Sequence, residues 1–241
     1  MQRYFAKNIE KEKATLKESD IHHIKNVMRM NIHNKIEVVF NKKIYLCEIL
    51  NNYQIKIIEE IISNEQNKKE IILASSLIKE QKQDLILQKT TELGVDTIIP
   101  LCLSRCVVKL DENKFAKKKT RWESICKEAS EQSKRNDIPT IKNIHKIEDL
   151  VKIEADLKLV LDTKENFKTI KNVLHNHPTC DKIIIVIGPE GGITKEEITY
   201  LHKHGYQSVS LGENILRSET AAIAALSMLN YHYLRWDNEY N

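Results

Sequence analysis

Lys182-Ile-Ile-Ile-Val-Ile-Gly-Pro-Glu-Gly-Gly-Ile-Thr194, running on into Lys195-Glu-Glu-Ile198, holds an apolar strand, a glycine turn and a helix start in one short stretch. A second stretch repeats the plan: Val209-Ser-Leu-Gly-Glu-Asn-Ile-Leu-Arg-Ser-Glu-Thr-Ala-Ala-Ile-Ala-Ala-Leu226. Two strand–turn–helix units in succession predict a parallel sheet, with a small-molecule pocket built largely from backbone beyond its strand ends. Gly188, Gly191 and Gly192 let a ligand approach the main chain closely, and Pro189 stiffens the turn. Thr194 and Glu197 have capping-box spacing, which starts the helix there.

Outward from this region the alternation continues. Apolar runs at 71–74, 97–101, 140–144 and 157–161 alternate with helical patterns at about 79–93, 112–133, 147–154 and 166–176. Strands alternating with helices imply an α/β domain whose parallel sheet is covered on both faces. Upstream of Ser63-Asn-Glu-Gln-Asn-Lys-Lys-Glu70, a stretch with no apolar residue, the pattern differs. Short β-branched runs at 35–40, 43–50 and 53–58, parted by Asn-rich turns, suggest a small barrel, and Ser19-Asp20 would cap a helix through Ile21, Ile24, Val27 and Met28. The expected organisation is therefore a barrel domain at 1–68 and an α/β domain at 69–241.

The bulk numbers narrow the class. The 241 residues, 41% hydrophobic and 30% charged, suit one large or two small globular domains. No apolar run approaches the ~20 residues needed to span a bilayer, and Met1-Gln-Arg-Tyr-Phe-Ala-Lys-Asn8 breaks up any signal-peptide pattern, so a cytoplasmic location is expected. The net charge of +4 defines no partner, although Lys114, Lys117, Lys118, Lys119 and Arg121 form a basic cluster. The five cysteines follow no zinc-ligand spacing, so they read as reduced and structural, and no metal is expected. Neither glycine turn is a dinucleotide fingerprint or a phosphate loop, which leaves an adenosine-type ligand held by backbone. Ile215 and Leu216, apolar residues in a loop, need something apolar to cover them. The nearly uncharged helix from Ala221 fits either a core helix or a subunit interface.

At these residues the chain resembles the SPOUT class of methyltransferases, and within it the RsmE-type enzymes that methylate uridine N3 in 16S rRNA. His23-Ile24 with Val27-Met-Arg-Met30 resembles an N-terminal signature of that family. Gln88-Lys89 with Glu92-Leu-Gly-Val95, Pro100 and Ser104-Arg105-Cys106 match a central one, and Glu131-Gln-Ser133, Arg135 and Ile138-Pro139 another. Gly188-Pro-Glu-Gly-Gly192, and Leu211-Gly212 with Ile215-Leu-Arg217 and Glu219-Thr220, match the family's two cofactor loops. The family often has Asp-Gly where Asn41-Lys42 stand here.

The resemblance implies a trefoil-knotted C-terminal sheet, a PUA-like RNA-binding barrel at the N-terminus, a homodimer and S-adenosylmethionine as methyl donor. It implies a donor site of Leu161, Asp162, Gly188, Glu190, Gly191, Gly192, Leu211, Gly212, Ile215 and Leu216. It makes Arg217 a stabiliser of the uracil anion, with Glu219 or Glu190 as proton acceptor. Arg3, Arg29, Arg105 and Arg135 become the candidates for contact with RNA phosphate. Two alternatives share the pocket: a ribose 2′-O-methyltransferase, and an RNA-binding assembly factor without turnover. The barrel and central signatures argue against the first, and intact Glu190, Arg217 and Glu219 against the second.

Overall fold

A computed structural model describes residues 1–62, 69–165 and 168–233. The chain divides into two compact units, Met1–Gln66 with Lys127–Ile138, and Asn67–Cys126 with Pro139–Asn241. Of the polar stretch 63–70 expected to separate two domains, 63–68 lie outside the described residues, and Glu70 opens a strand of the second unit.

In the first unit, β1 (Arg3–Phe5), β2 (Asn8–Glu10) and β3 (Lys13–Thr15) precede a short helix, α1 (Glu18–His22), which runs on as a π-helical turn through Val27. Then come β4 (Lys35–Phe40), β5 (Lys43–Ile49) and β6 (Ile55–Ile61). The sheet order is β1-β4-β5-β6-β3-β2. The segment carrying β1 and β2 reaches both edges: Ala6 N–H donates to Val39 O at 2.8 Å, and Lys7 N–H donates to Thr15 O at 2.7 Å. That closes the sheet into the expected small barrel and leaves no long open edge. Alternation sends Tyr4, Ala14, Ile36, Val38, Cys47, Ile49 and Ile55 inward, where they form one core with Leu16 and Ile24. The sequence reading assigned no strand to the first fifteen residues. Each of β1 to β3 has only three residues, too few for a period-2 pattern to show.

Lys127–Ile138 groups with this unit for a visible reason. The Lys127 ammonium lies 2.7 Å from Asp20 and 2.6 Å from Glu131. Arg3 bonds Glu37 at 2.8 Å and also donates to the Lys134 carbonyl.

The second unit is an α/β layer structure. Its strands are β7 (Glu70–Ser76), β8 (Thr97–Leu101), β9 (Thr140–Ile141), β10 (Leu157–Leu161), β11 (Lys182–Ile187) and β12 (Gln207–Val209). All adjacent pairs are parallel, in the order β12-β10-β11-β7-β8-β9. The helices are α2 (Glu80–Glu92), α3 (Glu112–Gln132, whose end from Lys127 belongs to the first unit), α4 (Ile147–Leu150), α5 (Ile170–Asn176), α6 (Lys195–Lys203) and α7 (Ser218–Tyr233). The central strand β11 is fully buried from Ile183 to Ile187, as a near-continuous apolar run in a parallel sheet should be. One core cluster joins Ile184 and Val186 to Ile72, Ala74, Ile99, Leu101, Leu150, Val160 and Leu201. The small-residue helix α7 is a core helix: Ala221, Ala222, Ala225, Leu226 and Leu229 are buried, and it packs on α2, α5 and β11.

Candidate functional site

Three consecutive strands in the sheet, β12, β10 and β11, end at the same edge, and the loops that follow them enclose a cavity of about 610 Å³. That size falls in the range of about 300–1,000 Å³ typical of small-molecule sites. Its walls are residues 161–165 after β10, 187–189 and 191–193 after β11 and 209–216 after β12, with Ser218 and Ala221 of α7 as a floor and Arg105 at one side. The two glycine turns that the sequence singled out thus meet, and a third loop joins them.

The β11 turn is braced from several directions. Gly192 N–H bonds Pro189 O at 2.8 Å, with Gly192 at φ +72°, where a side chain would be strained. The Ser218 hydroxyl donates to Gly188 O at 2.9 Å, tying α7 to the turn. The Arg105 guanidinium donates to Gly191 O at 2.9 Å, and its Cβ would come within 3.3 Å of a Cβ added at Gly191. Downstream, the capping box forms as expected: Glu197 N–H bonds the Thr194 hydroxyl, and Thr194 N–H bonds the Glu197 carboxylate. The same carboxylate accepts from the N–H and hydroxyl of Ser104 at 2.8 and 2.9 Å, which fixes the Arg105 loop against the turn. Burial raises the Glu197 pKa, but these hydrogen bonds outweigh it and hold the carboxyl below its usual range.

The β12 loop is open. Among the described residues, the N–H groups of Leu211, Ile215 and Leu216 have no hydrogen-bond partner. Gly212 sits at φ +143°, and a Cβ added there would meet nothing within 4 Å, so the cavity wall at this point is bare backbone. Ile215 is 80% exposed, an apolar side chain at the cavity with no cover from the described chain. Free donors beside uncovered aliphatic surface fit a flat, polar-edged ring such as adenine. In the third loop, Asp162 N–H bonds Val209 O at 3.1 Å, and its carboxylate accepts from Lys164 N–H at 3.0 Å.

The expected donor-site residues therefore line one cavity, Leu161, Asp162, Gly188, Gly191, Gly192, Leu211, Gly212, Ile215 and Leu216 together, with one exception. Glu190 lies outside the lining and bonds Lys82 at 3.0 Å. Burial raises its pKa, but its own N–H, the Lys82 ammonium and the charge of Lys79 together outweigh that and lower it. Glu219, on the first turn of α7, is 8% exposed; its Oε2 lacks a hydrogen bond and lies 3.9 Å from Lys82. Arg217 is exposed at the start of α7, and no ion pair engages its side chain among the described residues. Lys82 had escaped sequence reading. It sits in a lysine-rich stretch, and only the fold reveals that it faces two carboxylates.

The four arginines expected to meet RNA separate into two kinds. Arg3 is 8% exposed and committed to Glu37, and Arg135 is paired with Asp137 at 2.7 Å. Arg29 is exposed, at φ 50°, in the loop after α1, while Arg105 is exposed at the donor cavity. None of the five cysteines forms a disulfide, four of them are buried, and among the described residues no cluster of three metal-ligating side chains occurs.

Comparison with known proteins agrees with this reading. A family model described as an RNA methyltransferase domain matches residues 65–230, and one described as an RNA methyltransferase PUA domain matches 16–58. The chain is 36% identical to the ribosomal RNA small subunit methyltransferase E of Bacillus subtilis, covering 96% of each chain. It is 35% identical to that of Mesomycoplasma hyopneumoniae, over 94% of this chain and 98% of the other. Among solved structures, the corresponding enzyme of Neisseria gonorrhoeae, bound to S-adenosyl methionine, superposes with a TM-score of 0.84 at 28% identity, over 96% of this chain and 97% of the other. A Legionella pneumophila protein in complex with the bound cofactor SAM gives 0.86 at 31% identity, over 96% and 97%.

Proposed function

This chain belongs to the ribosomal RNA small subunit methyltransferase E family, and on that premise we propose that it transfers a methyl group from S-adenosylmethionine to N3 of a uridine in 16S rRNA. The observation that carries the reading is the cavity beyond β10, β11 and β12, with its unpartnered main-chain donors and bare aliphatic wall. Family relatives with bound S-adenosyl methionine support the same donor here.

When bound, S-adenosylmethionine supplies a methyl group on a positively charged sulfur, which an aligned nucleophile can take without metal or covalent help. The chain's task is then positioning, which can supply much of the rate. The N–H groups of Leu211, Ile215 and Leu216 would hold the donor's adenine, with Ile215 and Leu216 giving it apolar cover. Asp162 and the Gly188–Gly192 turn line the rest of the donor site.

Uracil N3 must lose a proton to become nucleophilic. Arg217, with a fixed charge and no competing carboxylate, stabilises the anion. Glu219 accepts the proton in this scheme. Glu190 suits that role less well, because Lys82 holds its carboxyl in the weakly basic range.

The barrel at 1–68, with Lys127–Ile138, serves as a PUA-like RNA-binding domain, and 69–241 as the methyltransferase domain. A trefoil knot is supported by the strand order: after β11 the chain crosses to the far side of β10 before α7 returns to pack on β11. A homodimer is supported by Tyr231, 89% exposed on α7, and Leu85, 38% exposed on the neighbouring α2. A cytoplasmic location follows from an rRNA substrate, and among the described residues no helix is long and apolar enough to cross a membrane.

The test is methyl transfer from labelled S-adenosylmethionine to small ribosomal subunits from a strain lacking this protein, followed by nucleoside analysis. Labelled 3-methyluridine is the expected product. Label in a 2′-O-methylated nucleoside would overturn the N3 assignment, and donor binding without transfer to any RNA would point to an assembly factor.

A further inference from the structure

A second hollow, of about 280 Å³, opens in the same unit between α2, α3 and the loops after β7 and β8. Leu77, Ile78, Val108 and Leu110 give it apolar walls, Gln83 and Trp122 add polar groups, and the charged Lys79, Glu80 and Lys118 complete the lining. Gln83 is 2% exposed, yet its side-chain oxygen has no hydrogen-bond donor. Trp122 is 3% exposed, and its ring forms part of the wall. A buried carboxamide oxygen with an unmet hydrogen bond is destabilising unless something outside the chain satisfies it.

The walls are held in place. Arg121 bonds Glu80 at 2.6 Å and Asp84 at 2.7 Å, and Lys118 reaches Glu80 at 3.3 Å, so α3 is clamped to α2. Part of the basic cluster noted in the sequence is spent on this clamp. Phe115 meets Trp122 edge-on, with ring centroids 6.0 Å apart, which fixes the indole.

The hollow lies at the carboxyl edge of the sheet, as the donor cavity does, because Leu77 and Ile78 follow β7 and the Val108 loop follows β8. That second loop serves both places: Arg105 lines the donor cavity, and Val108 and Leu110 line the hollow.

We propose that this hollow receives an unpaired nucleobase of the RNA whose methylation was inferred above, on which reading it rests. A base offers what the lining lacks. Its ring N–H or amino group meets the Gln83 oxygen, and a ring carbonyl or nitrogen meets the Trp122 indole or the Gln83 amide. The flat faces pack on Leu77, Ile78 and the indole. Lys79 at the mouth is exposed and suits the attached phosphate. Recognition of RNA by bases splayed out of the helix into aromatic pockets is the general mode for single-stranded segments.

Gln83→Met tests the proposal, because it keeps the volume and removes the unmet amide. It should raise the melting temperature while raising KM for small ribosomal subunits about tenfold, the scale of one lost base contact, with S-adenosylmethionine affinity unchanged. In a Trp236→Phe background, uridine 5′-monophosphate should quench Trp122 fluorescence saturably, and Gln83→Met should abolish the quenching. A lower melting temperature with KM unchanged would make Gln83 a structural residue and overturn the proposal. A change in self-association with KM unchanged would assign the hollow to a second copy of the chain and also overturn it. If the wild type methylates no subunit, the function proposed above fails instead, and the nucleotide-quenching result still stands on its own.

Discussion

The Lys82 ammonium lies 3.0 Å from a carboxylate oxygen of Glu190, a residue 108 positions away in the chain, and so joins the first turn of α2 to the glycine turn after β11. Lys82→Met should let the Glu190 carboxyl titrate at higher pH and loosen the turn. Both partners are about a third exposed, so the pair itself is worth only about 0–1 kcal/mol. A two- to fivefold weaker S-adenosylmethionine affinity is expected, measured by calorimetry, with Lys82→Arg restoring most of it. An unchanged affinity in Lys82→Met would show that the ion pair does not support the turn.

Gly188→Ala should be far more damaging. A Cβ there would lie 2.6 Å from Ile193 Cγ1, and Ile193 packs against the core of the second unit. Donor affinity should fall by more than about tenfold, since misplacing a binding turn by a fraction of an ångström is enough. Adding Ile193→Ala removes the collision and should recover part of the loss.

Acid should unfasten the Ser104–Thr194–Glu197 knot of hydrogen bonds. The Glu197 pKa is lower in the folded protein than in the unfolded chain, where it is about 4.3. The sign follows: its contribution is fully present above the unfolded pKa and disappears as pH falls through the folded one. Wild-type stability measured by urea titration should therefore decline below about pH 4.3, and Glu197→Gln should flatten that decline.

The turn between β4 and β5 carries a removable strain. Asn41 and Lys42 sit at φ 49° and 65°, the pair of left-handed conformations that a two-residue hairpin requires. Lys42→Gly should stabilise the protein by about 1 kcal/mol, seen as a higher melting temperature. The Asp-Gly common in the family at this turn has the same physical basis.

Salt dependence should sort the arginines. Arg29→Ala should lower the slope of log affinity for rRNA against log salt by about one, as the loss of one phosphate contact does. Arg3→Ala should instead destabilise the barrel by about 1–3 kcal/mol, because it removes a charged hydrogen bond from the largely buried Glu37, which Lys134, 3.0 Å away, still pairs. If Arg3→Ala left the melting temperature untouched, its pairing would not be structural.

Long periodic elements were legible in the sequence, and short ones were not. β8 and β10 appear at the residues read, α2 begins within a residue of the expected start at 79, and α6 begins directly after its cap Thr194. The strand expected at 140–144 shrinks to Thr140–Ile141 and the helix at 147–154 to Ile147–Leu150, because neither has a second pattern to mark its end. The donor cavity was legible because glycine turns leave a mark in sequence. Lys82, Gln83 and Trp122 were not, since what distinguishes them is the neighbour each one meets or lacks, and those neighbours come from other parts of the chain.

The strand order has a consequence for how the chain is made. β7 is synthesised early but has β11 as one neighbour in the sheet, more than a hundred residues later, and all three donor-cavity loops lie beyond residue 160. On the ribosome, the nascent protein can close its barrel long before any pocket for S-adenosylmethionine exists. A chain stalled before α7 emerges can hold a folded barrel, yet it lacks Ser218 and Ala221, which line the cavity.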